Sequence, residues 1–121
     1  MKYPVIYAAL NERRAKIVGF HVSDYSGWQA AQQTYISRCR PLWIVVEDPG
    51  INKRIWITQD GRDLSISTAQ LDLPIDTPAY HRSHRRRGGF RSQKAMLAYL
   101  NALFTTGEFP FSVKEEETNA G

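Results

Sequence analysis

The sequence predicts one α+β domain, a mixed, mostly antiparallel sheet of about five strands with two helices packed against it. Three observations lead there. A chain of 121 residues suits a single core, with roughly two-thirds of the unfolded surface buried on folding. Its hydrophobic share of 42% and aromatic share of 12% exceed what a disordered chain carries. Short β-branched runs bounded by turn residues share the chain with two segments of helical period. The domain is expected over residues 1–113, followed at 114–121 by a disordered acidic and polar tail containing Glu115, Glu116 and Glu117.

Residues 5–10 and 15–22 read as two strands of a hairpin, the second through Ile17, Val18, Phe20 and Val22, with 11–14 as the turn. Ser26 offers an N-cap, and Trp28, Ala31, Tyr35 and Cys39 recur at intervals of three and four, so a helix is expected over 27–39 with Pro41 ending it. Residues 42–46 are a continuous apolar run, which suits a central strand covered on both faces. Turn residues Asp48, Pro49 and Gly50 lead to a strand at 54–58, and Asp60-Gly61 signals a hairpin into 64–67. From 68 to 90 no period is visible, and Pro74, Pro78, Gly88 and Gly89 interrupt it, so this reads as a long irregular connection. Ser92 then caps a helix over 93–104 with Met96, Leu97, Leu100, Leu103 and Phe104 inward, Gly107 stops it, and Phe109 and Phe111 fold back onto the core.

Sixteen Lys and Arg against twelve Asp and Glu give a net charge of +4, and the glutamates of the tail make the rest more basic than the total suggests. Cys39 is the only cysteine, so neither an intramolecular disulfide nor a CxxC metal site is available. The apolar run near the N-terminus is too short to span a membrane, and the expected location is the cytoplasm, with no membrane partner.

The cations are concentrated in residues 81–94, HRSHRRRGGFRSQK, where Arg82, Arg85, Arg86, Arg87, Arg91 and Lys94 stand without a single acid. Arginine forks fit phosphate oxygens, glycines allow close backbone approach, and a helix N-terminus adds unpaired N–H groups. The expected function is therefore that of a small non-enzymatic accessory protein that binds DNA, RNA or a nucleoprotein through a basic loop at the start of the last helix. Four to six such contacts on duplex DNA give a log–log salt slope on the order of −4 to −5. Tyr80 and Phe90 bracket the cluster as stacking surfaces, and Arg54, Trp56 and Arg62 offer a second basic and aromatic surface. Trp56, flanked by Ile55 and Ile57, belongs on the face opposite them, whereas Trp28, Trp43, Tyr35 and Tyr99 sit at core positions.

Other readings use the same residues. The arginines can lie in a solvated loop or pair with acids such as Asp72 and Asp76. An acidic protein surface is the partner if the chain is instead a phage- or plasmid-encoded interaction module that binds and inhibits a host complex. A small ribonuclease would use His81 or His84 as acid and base, with Arg85, Arg86 and Arg87 stabilising phosphorane-like charge. His21, His81 and His84 as metal ligands are disfavoured by the surrounding arginines, and no Walker loop, GxSxG, HExxH or dinucleotide fingerprint is present, so no metal or cofactor is expected. Three strands followed by residues 90–99, FRSQKAMLAY, resemble the sheet-then-helix pattern of AP2-type DNA-binding domains over about half the chain. That resemblance implies that the sheet around Arg54 and Trp56 lies in a DNA groove.

Overall fold

The computed structural model describes residues 3–24 and 43–110. In chain order these form helix α1 (Pro4–Arg14), strands β1 (His21–Asp24), β2 (Trp43–Asp48), β3 (Lys53–Asp60) and β4 (Asp63–Gln70), the short helix α2 (Pro78–Arg82), strand β5 (Arg85–Phe90) and helix α3 (Gln93–Thr106). The α+β class holds, with five strands in an open sheet of order β1-β2-β3-β4-β5 whose four pairings are all antiparallel. β3, rather than β2, is the central strand. The helix expected over 27–39, together with Trp28, Tyr35 and Cys39, lies outside the described residues, as do Phe111 and the acidic tail.

The expected N-terminal hairpin does not form. Its first half is α1, and β1 begins only at His21. Pro4 occupies the first turn, where its missing N–H costs nothing, and Ile6 and Leu10, one turn apart, are both buried. Arg13 and Arg14 in the last turn suit the negative end of the helix. A run such as VIYAAL permits either period, and the packing partner decides. Here that partner is α3: Gln93 Oε1 accepts from the backbone N–H groups of Val5 at 2.9 Å and Ile6 at 3.1 Å. This caps an N-terminus whose own flanking residue, Tyr3, supplies no side-chain cap.

Replacing Gln93 by Ala is expected to lower the free energy of unfolding by about 1–2 kcal/mol, since two part-buried donors lose their acceptor. Gln93→Glu retains the oxygen and adds negative charge at the helix start, so it should match the wild type or exceed it. Urea denaturation of the two variants separates the outcomes.

Among the described residues, the two long helices share one face of the sheet. Ile44, Ile57, Ile66 and Arg87 form one row across β2 to β5, and Val46, Ile55, Thr68 and Arg85 form the next. The isoleucines and Val46 of these rows are fully buried beneath Met96, Tyr99, Leu100 and Leu103 of α3 and Ile6 and Leu10 of α1, with Phe109 folded back against the same core. α3 begins and ends as its sequence predicts. Ser92 Oγ accepts from the Ala95 N–H at 3.0 Å, and Gly107 takes φ 77 and bonds back to the Leu103 carbonyl.

The expected irregular connection over 68–90 is another correction. β4 continues to Gln70, Thr77 caps α2 through the Tyr80 N–H, and the basic run is the edge strand β5. RRRGGF shows no alternation of apolar and polar residues, so period alone could not reveal it. Its ladder with β4 defines it, broken by a bulge where Leu64 and Ile66 oppose Phe90 and Arg87. Gly89 supplies the positive φ of 79 that this bulge requires. α2 and β5 intervene between β4 and α3, so the strand that leads directly into α3 is β5.

Candidate nucleic-acid interface

The pleat sorts the basic residues onto different surfaces. Arg87 ends the helix-facing row beside Ile66, so its Nη1 donates to the Tyr99 hydroxyl at 3.1 Å and its guanidinium lies over the Phe90 and Tyr99 rings. Arg86 points to the opposite face, in the row Ser23, Val45, Trp56, Ser67 and Arg86, and packs along β5 above Gly88. A methyl group at Gly88 would approach the Arg86 guanidinium to 3.1 Å, so this glycine gives the side chain room to lie flat. Arg54, on that same face, is engaged on both sides: it donates to Glu47 at 3.1 Å and to the Tyr80 hydroxyl at 3.3 Å, with 15% of its side chain exposed.

Arg82, Arg85, Arg91 and Lys94 are exposed, and among the described residues none of the four forms an ion pair. Asp72 and Asp76 do not neutralise them; Asp76 stands 3.8 Å from His81 instead. Arg85 folds back over the turn between α2 and β5, where its Nη1 donates to the carbonyls of Arg82 and His84, both at 2.8 Å. Two of the five guanidinium donors are used this way, which fixes the group while three remain for a ligand. Arg91 and Lys94 continue the charge past the strand onto the first turn of α3.

A ring cluster adjoins these cations on the side of the sheet away from α1 and α3. Trp56 is on that face, as its spacing predicts, but it is half-buried because His84 stacks on it with centroids 5.4 Å apart and planes 19° from parallel. His81 in turn lies 6.2 Å from His84 at 21°. Tyr80, buried beside Arg54, meets both imidazoles edge-on. Ser83 holds the turn to the sheet, accepting from the Gln70 N–H at 3.0 Å and donating to the Tyr80 carbonyl at 2.6 Å. His81, on α2, and His84, just past its C-cap Ser83, are three apart, and the turn between them brings their rings together. The contact with Trp56 had no signal in the sequence, because it depends on how α2 docks.

Burial pushes the His84 imidazole below the ordinary histidine range, and the neighbouring His81 lowers it further. Between the ordinary value of about 6.5 and the lower folded value, the unfolded chain binds a proton that folded His84 does not. His84 therefore stabilises the fold above about pH 6.5, and this contribution falls away as the pH drops through its folded pKa. An NMR titration should find His84 titrating below 6.5, and in His81→Gln it should rise while staying below 6.5, because burial, the larger cause, persists. An unchanged His84 titration in that variant would remove His81 as a cause.

His21 is on β1, at the far edge of the sheet from β5, and among the described residues no cluster of three histidines, cysteines or acids could hold a metal. Among those residues, too, no helix is long and apolar enough to cross a membrane. No family model, curated protein or solved structure matches this chain.

Proposed function

We propose that this chain is a non-enzymatic accessory protein that binds nucleic acid, alone or within a nucleoprotein, along the basic edge of its sheet. The observation that carries the reading is the line of exposed cations at Arg82, Arg85, Arg91 and Lys94 that have no acidic partner among the described residues. Charged side chains on an edge strand also prevent sheets from joining edge to edge. That role accounts for cations within β5, but not for Arg82 before the strand or Arg91 and Lys94 beyond it. The six residues of β5 span about 20 Å at about 3.3 Å each, comparable to several nucleotides at about 3.4 Å rise per strand of duplex. Arg86 and Arg87 serve mainly to shape this edge, and Arg54 to fix α2 against β3.

One feature favours a second reading. Among the described residues β5 pairs only with β4, so its outer side can accept a strand from an acidic protein partner, with backbone bonds that do not depend on charge. Fluorescence anisotropy of labelled single-stranded and duplex DNA and RNA, titrated at several salt concentrations, tests the first reading against the second. Four phosphate contacts give a log–log slope of about −3 to −4. Failure to bind any oligonucleotide at low salt would overturn the nucleic-acid reading and direct the search to protein partners.

A further inference from the structure

We infer that the ring ladder Trp56, His84, His81 is a stacking site for an unpaired nucleobase, so that the preferred ligand is single-stranded. The inference rests on the reading above and specifies its ligand. Three rings lie in near-parallel sequence, with successive planes 19° and 21° apart, and the innermost is anchored on the central strand. The outermost is His81, whose side chain remains 62% exposed. A flat aromatic ring at the solvent end of such a ladder offers a surface on which any base can stack.

The neighbouring groups suit the rest of a nucleotide. Arg82 follows His81 directly, and the Arg85 guanidinium is tied to the carbonyls of Arg82 and His84, so two exposed cations belong to the turn that carries the imidazoles, while Asp76 stands 3.8 Å from His81. Tyr80 meets both imidazoles edge-on, and the Ser83 bonds hold the turn against β4, which keeps the rings from spreading when unoccupied. Preorganisation of this kind reduces the entropy lost on binding. Bases in a duplex are already paired and stacked inside the helix and cannot reach the ladder without unstacking.

The test compares labelled single strands, the same strands carrying abasic sites, and the corresponding duplexes, against wild type, His81→Ala and His81→Phe. His81 is exposed, so both variants should fold, and circular dichroism checks that they do. The expected result is that wild type prefers the intact single strand to the abasic strand by about 10-fold, that His81→Ala removes this preference, and that His81→Phe restores it. Restoration by Phe identifies ring stacking, since a merely electrostatic or structural role of the imidazole would not be rescued. Equal binding of intact, abasic and duplex ligands, unaltered in His81→Ala, overturns the stacking site while leaving the basic edge as a phosphate-binding surface. No binding to any of the three overturns both.

Discussion

Asp48→Ala is expected to lower the free energy of unfolding by about 3–5 kcal/mol, a large part of the roughly 5–15 kcal/mol that holds a small domain together. Asp48 ends β2 on the helix-facing side and is completely buried. Its Oδ2 accepts from Arg13 Nε on α1 at 3.0 Å, and its Oδ1 accepts from the Gly50 N–H at 2.9 Å, which closes the turn into β3. The Arg13 guanidinium also lies 5.0 Å from the centre of the Phe104 ring on α3. One carboxylate thus joins a strand and a turn to α1, and the arginine it holds reaches α3. Removing it leaves a largely buried guanidinium without a counter-charge and an orphan backbone donor. Because 16% of the Arg13 side chain reaches solvent, the lower part of that range is favoured. Asp48→Asn, which keeps an acceptor but not the charge, should fall between Ala and wild type. In urea denaturation the combined loss in Arg13→Met with Asp48→Ala should be smaller than the sum of the two single losses, since each single change strands the other partner. Strict additivity would mean that the pair does not act as a unit.

The second large effect concerns binding. If the basic edge contacts phosphates, wild type should lose about 50- to 150-fold in affinity between 50 and 200 mM salt, the consequence of four counterions released at a slope of about 0.7–0.9 each. Changing Arg82, Arg85, Arg91 and Lys94 together to Ala should flatten that dependence almost completely. Stability should change little. Among the described residues these side chains form no ion pair, and the only bonds lost are the exposed ones from Arg85 to its neighbouring carbonyls. A matched variant with Arg54, Arg86 and Arg87 changed to Ala removes three cations as well but should act differently. It disturbs the contacts to Glu47, Tyr80 and Tyr99, so it should cost stability, with a smaller change in salt slope. Anisotropy titrations and thermal melts on the two variants distinguish an accessible binding edge from a uniformly distributed charge effect. If both variants flattened the slope equally, the division between contact and scaffold residues would be wrong.

Much of the fold was legible in the sequence wherever local chemistry decides. The β3–β4 hairpin follows from Asp60-Gly61 between β-branched runs, and α3 follows from the Ser92 cap, its apolar stripe and Gly107. Trp56 faces away from Ile55 and Ile57 because side chains alternate along a strand. The concentration of cations in 81–94 and the lack of familiar catalytic motifs are likewise properties of the sequence itself.

What the sequence left open are the features that depend on a distant partner. Residues 5–10 become helix because α3 covers Ile6 and Leu10 and Gln93 caps the exposed N–H groups, interactions 87 and 88 residues away in the chain. RRRGGF becomes a strand because β4 provides its ladder, and the resulting pleat turns Arg87 toward Tyr99 and Arg86 the other way. The sequence determined which residues carry the charge. Only the tertiary structure decided which of them remain available, because a guanidinium finds its partner by position in space, and neighbouring arginines on a strand point to opposite faces.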